Sequence, residues 1–105
     1  MTCSPERSTM KNRYDVVWTS RVTKQLEKLP PHILNKFYAW VTSVKLAGIR
    51  ETRKHPGFHD EPLHGDRRGQ RSIRLNQSYR AIYIEKTEGF YEFIEVIKVS
   101  KHDYS

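Results

Sequence analysis

Glu61 and His64, Arg74 and Arg80, and the trio His102, Asp103 and Tyr104 are the side chains of this 105-residue chain whose types suit chemistry on a charged group. A glutamate serves as a general base when nearby cations and a bound anion settle its protonation. Histidine exchanges a proton near neutral pH, tyrosine can donate one, and aspartate can orient either. Arginine fits phosphate oxygens through two parallel N–H bonds that lysine cannot reproduce, so a pair carried on one sheet is a credible phosphate clamp. Each group also has an ordinary reading. Arg74 and Arg80 fit surface ion pairs, Glu61 fits a surface acid balancing Arg67 and Arg68, and a polar tail fits a solvated end.

Position separates these cations better than number. The stretch from His64 to Tyr83, HGDRRGQRSIRLNQSYRAIY, holds five arginines and alternates like β-structure. In SIRLN, Ile73 and Leu75 face one way and Ser72, Arg74 and Asn76 the other, which turns Arg74 away from an apolar face. In YRAIYIEK, Tyr79, Ala81 and Tyr83 share one face and Arg80, Ile82 and Ile84 the other. Arg80 thus lies among apolar neighbours, where a cation is costly unless paired or aimed at a ligand.

The elements that must hold these residues follow from pattern and breakers. Tyr14 to Thr19 (YDVVWT) is rich in β-branched and aromatic residues and predicts a strand. Ser20 is placed to cap a helix over Arg21 to Leu29, in which Val22, Leu26 and Leu29 recur at helical spacing before Pro30. Pro31 suits the first turn of a longer helix, because its missing N–H has no partner there anyway. Along it Ile33, Leu34, Phe37, Tyr38, Trp40, Val41, Val44 and Leu46 sustain a period near 3.6, predicting a helix to about Arg50 or Thr52. His55 to Gly69, with two Pro, three Gly and three His, predicts a loop. Strands follow over Ser72 to Asn76, Tyr79 to Lys86 and Phe90 to Val99, with a turn at Glu88-Gly89. The expected fold is α+β, in the order β-α-α-β-β-β, with two helices on a curved, largely antiparallel sheet.

Composition bounds the setting. The length allows one domain, expected over residues 14–105 after a flexible leader at 1–13. With 36% apolar residues, two Trp and six Tyr, a core is within reach. A net charge of +7 attracts nucleic acid, an anionic membrane or an acidic protein. No apolar run approaches the ~18 residues of a membrane span, and residues 1–12 (MTCSPERSTMKN) lack the hydrophobic core of a signal peptide, so the expected compartment is the cytoplasm. Cys3, the single cysteine, excludes an internal disulfide. His55, His59, Asp60 and His64 cluster, but their spacing matches no strong zinc signature. No Gly-rich phosphate loop and no serine nucleophile elbow occur either. No metal or cofactor is expected.

The run EPLHGDRRGQRSIRLNQSYRAIY, followed by a terminal KHDY, resembles the RelE/ParE superfamily of bacterial type II toxins. The specific likeness covers Glu61 to Tyr83 and the tail, while residues 14–52 match in layout alone. In ribosome-dependent RNases of the YoeB type an acidic residue precedes the same Pro-Leu, and arginines occupy the positions of Arg74 and Arg80. This resemblance implies an mRNA interferase acting in the ribosomal A site, where a ribose 2′-OH attacks its neighbouring phosphate without a metal. It implies Glu61 as base, Arg74 and Arg80 as stabilisers of the charged phosphorane, and His102, Asp103 and Tyr104 as a tail that protonates the leaving oxygen. KHDY holds the residue types of the HigB-type ending in another order, so which tail residue donates is open. His64 stands where relatives often carry lysine. With Arg67, Arg68, Arg71, Lys98 and Lys101 it is a candidate contact to RNA phosphates. The partners implied are the ribosome with its messenger RNA and a cognate acidic antitoxin, with no membrane. Two alternatives remain: a ParE-like poison of DNA gyrase, which needs no nuclease site, and a non-catalytic module that binds RNA or a partner.

Overall fold

In the computed structural model the described residues are 15–89 and 91–101. The leader over 1–13, Phe90 at the expected start of the last strand, and the tail residues His102, Asp103 and Tyr104 lie outside them. The elements run β1 (Asp15–Val17), α1 (Ser20–Glu27), α2 (Pro31–Ala47), α3 (Ile49–Arg53), β2 (Glu61–Pro62), β3 (Arg71–Arg74), β4 (Tyr79–Glu88) and β5 (Tyr91–Lys101). Single 3₁₀ turns at Pro56–Phe58 and Gly65–Arg67 flank β2.

The helices follow their apolar spacing with three departures. Thr19, not Ser20, is the N-cap of α1, and it caps through its backbone carbonyl, which accepts from the Val22 and Thr23 amides at 3.1 Å each. Pro31 opens α2 as its φ requires, and Ile33, Phe37, Trp40, Val41 and Val44 form the buried stripe. Leu46, 80% exposed, and Tyr38, 45% exposed, fall outside that stripe. The long helix does not continue to Arg50 or Thr52. Gly48 breaks it at φ 90° and ψ 162°, a region only glycine enters cheaply, and the chain restarts as α3. Thr52, fully buried, then shares a 2.8 Å hydrogen bond with the Ser43 hydroxyl and ties α3 back onto α2.

The sheet has five strands in the order β1-β5-β4-β3-β2, with β1 parallel to β5 and every other pair antiparallel. The expected meander is therefore present. The expected loop over His55 to Gly69 is interrupted by β2, a two-residue strand on the edge of β3. The strand expected at Ser72 to Asn76 stops at Arg74, because the Asn76 side chain leaves the ladder and accepts from the amides of Ser78 at 2.6 Å and Tyr79 at 2.8 Å. β4 runs on to Glu88, where Gly89 at φ 61° makes the turn.

All three helices cover one face of the sheet. Ile73, Ala81, Tyr83, Ile94, Val96 and Val99 pack from the strands against Val22, Leu26, Phe37 and Trp40, all nearly free of solvent. Trp40 and Tyr83 meet with ring centroids 5.3 Å apart, and Trp18 stands edge-on to Phe37 at 5.4 Å. Among the described residues no helix is long and apolar enough to cross a membrane.

Candidate active site

The opposite face of the sheet carries no helix, and strand register decides which side chains gather there. Arg74 pairs with Arg80, and Arg80 pairs in turn with Ser100, making one cross-strand row. Glu61 pairs with Ser72, Ser72 with Ile82, and Ile82 with Lys98, making the next. Paired residues point the same way, so Glu61, Arg74, Arg80 and Lys98 share the open face.

Arg80 is the centre of the group. Its Nη1 donates to the Ser72 hydroxyl at 3.2 Å and lies 3.7 Å from Glu61 Oε2. The first contact is a hydrogen bond; the second is an ion pair beyond hydrogen-bonding reach. With side chains 22% and 53% exposed, the Arg80–Glu61 pair is desolvated chiefly on the arginine side, and the Glu61 side chain stays largely exposed. Ser72 shares the face of Arg74, as alternation requires, yet it is 1% exposed. Arg74, half-buried and directly opposite Arg80, has no ion-pair partner among the described residues. Like charges on directly paired positions repel one another, and an anion between them relieves that repulsion.

The remaining candidates spread out. His64, Arg67 and Arg68 lie exposed on the β2–β3 connection, with Arg67 donating to the Gln70 side-chain oxygen at 3.0 Å. Lys98 is exposed on the open face in the row next to that of Arg80, whereas Lys101 pairs with Tyr79 and so belongs to the helix-side face at the end of the strand. Arg71 departs from the group altogether. Its register partner is Tyr83 on the helix side, and its Nε donates to Asp60 Oδ1 at 2.6 Å, so its charge answers a buried carboxylate rather than the open face.

That carboxylate belongs to a cluster unforeseen from the sequence. Asp60, with its side chain 1% exposed, also accepts from the Tyr83 hydroxyl through Oδ2 at 2.5 Å. Arg53 Nε stands 3.6 Å from Asp60 Oδ1, a Coulombic contact rather than a hydrogen bond, while its Nη2 donates to Tyr83 and Glu85. Burial pushes the Tyr83 phenol well above its ordinary value, and the bond to Asp60 adds to this while Arg53 opposes it. Burial works against the Arg53 charge, but its bonds to Tyr83 and Glu85 outweigh that and hold it protonated. The one legible signal was Asp60 beside Glu61 in a loop of histidines. Its partners come from separate elements and carry no local pattern.

No protein-family model matches the sequence, and no curated protein does. Solved structures do. A YoeB/ParE toxin from Agrobacterium tumefaciens is 24% identical, aligned over 85% of this chain and 99% of its own, with a TM-score of 0.62. The archaeal RelE–RelB complex from Pyrococcus horikoshii is 22% identical over 89% of this chain and 99% of that one, with a TM-score of 0.65. The DinJ–YafQ toxin–antitoxin complex of E. coli is 19% identical over 86% and 93%, at 0.61. The bare sheet face with its arginine row, backed by helices on the other side, thus sits on the fold of the RelE/ParE toxins.

Proposed function

We propose that this protein is the toxin of a type II toxin–antitoxin pair and that it cleaves messenger RNA on the ribosome. The observation that supports the reading is the cross-strand pairing of Arg74 with Arg80 on the open face, with Glu61 3.7 Å from Arg80. A phosphodiester set between the arginines has its non-bridging oxygens within reach of charge-assisted donors, and the charge that grows on them in the transition state strengthens those bonds. Glu61 takes the proton of the adjacent ribose 2′-OH, the freed oxygen attacks phosphorus, and the P–O5′ bond breaks to leave a 2′,3′-cyclic phosphate and a 5′-OH. The departing 5′-oxygen takes its proton from the tail. His102 or Tyr104 is the donor and Asp103 its orienter; Ser100, two residues before His102, is in register with Arg80. His64, Arg67, Arg68 and Lys98 contribute charge toward the RNA backbone.

The solved neighbour from E. coli is a toxin–antitoxin complex, and that from P. horikoshii is a RelE–RelB complex. For this chain, with its +7 charge, the corresponding partner is an acidic antitoxin that covers the basic surface and stabilises the toxin by binding only its folded form. The compartment is the cytoplasm, where such a target is found.

Induced expression in a bacterium, followed by primer extension on total RNA, tests the reading. The expected result is growth arrest with new 5′ ends inside translated codons, abolished by Glu61→Gln and by Arg80→Ala. Intact messages together with broken DNA would identify a gyrase poison instead. Growth inhibition unaltered by Glu61→Gln, Arg80→Ala and His102→Ala would identify a non-catalytic binding module.

A further inference from the structure

β2 is too weak an element to place a reactive side chain by itself. It contributes two residues to the sheet edge, and Pro62 has no N–H to give to the ladder. The connection continues through one further bond, from the Leu63 amide to the Gln70 carbonyl at 2.9 Å. Just ahead of the strand, His59 sits at φ 47°, the sole non-glycine residue with positive φ among those described. A histidine tolerates that conformation but does not favour it, so something downstream holds the turn in place.

The anchor is the residue between them. Successive side chains in an extended segment point to opposite sides, so Asp60 goes behind the sheet while Glu61 comes forward beside Arg80. Behind the sheet the Asp60 carboxylate is met from three directions: Arg71 of β3 on Oδ1, Tyr83 of β4 on Oδ2, and Arg53 at the end of α3 by charge. Each partner is itself fixed. Tyr83 packs on Trp40, Arg71 lies in the β3–β4 ladder, and Arg53 is held by Glu85. A buried carboxylate with both oxygens bonded and its charge balanced has one favourable position, because any shift leaves desolvated cations without a partner.

We propose that Asp60 is the positioning residue for Glu61: its buried carboxylate latches the edge strand from behind and thereby sets Glu61 against Arg80 on the open face. This rests on the reading of that face as the reactive one. The latch acts through geometry, where a displacement on the order of 1 Å costs about 100-fold in rate.

The test uses the full-length chain and two readouts. By amide hydrogen exchange, Asp60→Asn speeds exchange at Leu63 by at least about tenfold while the Ala81 amide in the β3–β4 ladder keeps its protection. In a cleavage assay on programmed ribosomes, the same variant lowers the single-turnover rate by about 10- to 100-fold. On a Glu61→Gln background it causes no additional loss, since the latch has nothing left to aim. Tyr83→Phe removes one bond to Asp60 and leaves the ring on Trp40, so it gives the same pattern in smaller measure if Asp60→Asn does not fold. Unchanged exchange at Leu63 in both variants, or equal factors lost from wild type and from Glu61→Gln, would overturn the latch. If the wild-type chain cleaves no RNA, the functional reading fails, and the exchange experiment still decides whether Asp60 holds the edge strand.

Discussion

Arg74 and Arg80 are direct cross-strand partners at the end of the β3–β4 ladder, both on the face that the helices leave bare. Chemically matched cations in that register weaken the sheet slightly, since like charges placed opposite repel. The pairing is therefore not a stabilising contact, and under the proposed function it serves as an anion site. Arg74→Ala is expected to change unfolding free energy by less than about 0.5 kcal/mol in chemical denaturation, in line with surface substitutions generally. Cleavage by the same variant is expected to fall by about 100-fold or more, the usual loss of a transition-state donor. Arg74→Lys keeps the charge but not the two-pronged geometry and recovers little of the rate. A loss of stability that matches the loss of cleavage would make Arg74 a structural residue.

The face of Arg74 was readable from its own strand, because a period of two residues leaves no choice: once Ile73 and Leu75 are apolar and buried, Arg74 must turn outward. For Arg80 alternation gave the right grouping with Ile82 and Ile84, but those apolar neighbours hid that this face is the open one, where Arg80 meets Arg74 across the ladder, Ser72 and Glu61. Pro31 likewise marked the start of α2 correctly. Gly48 was not read as a break, since the apolar pattern runs up to Val44 and Leu46 just before it and a single glycine is tolerated within a helical pattern. β2 escaped notice for a different reason. Two residues cannot show alternation, and their pairing with β3 is set by a connection of eight residues whose course is made by 3₁₀ and glycine turns. The Asp60 cluster is the least local of all. Its bonds join residues separated by up to 32 positions in the chain, so no window of sequence contains them.

Arg67 and Arg68 are exposed on the β2–β3 connection, and under the proposed function they contact RNA backbone rather than the reacting phosphate. Each phosphate contact that is lost releases one counterion fewer. Measured as the slope of log affinity against log salt concentration for ribosome or RNA binding, Arg67→Ala and Arg68→Ala each flatten the dependence by about one unit. The rate of chemistry at saturation stays the same. An unchanged salt slope would remove these two arginines from the interface.

Gly48 carries the break between α2 and α3 at φ 90° and ψ 162°. Any side chain there is strained by about 1–3 kcal/mol, a large fraction of what a small domain has. Gly48→Ala is therefore expected to lower Tm by about 4–8 °C for each kcal/mol. It also loosens Thr52 from Ser43, and with it Arg53 one residue on. Thermal denaturation decides the point: an alanine variant as stable as wild type would mean that α2 and α3 join smoothly without the glycine.

Tyr83 gives the pH dependence a definite sign. Its phenol is pushed up in the folded state by burial and by the bond to Asp60, whereas in the unfolded chain it ionises near its ordinary value of about 10. A proton held more tightly in the folded form stabilises that form fully below the unfolded value, and the contribution is lost as pH climbs toward the folded one. Tyr83→Phe removes a hydrogen bond worth about 1 kcal/mol near neutrality, so the variant is less stable than wild type there. As pH rises above about 10, only the wild-type chain gains an ionising phenol on unfolding, and the stability gap between the two proteins narrows. Urea denaturation across the alkaline range measures this directly. A gap that stays constant to about pH 11 would place the phenol in water, free of Asp60.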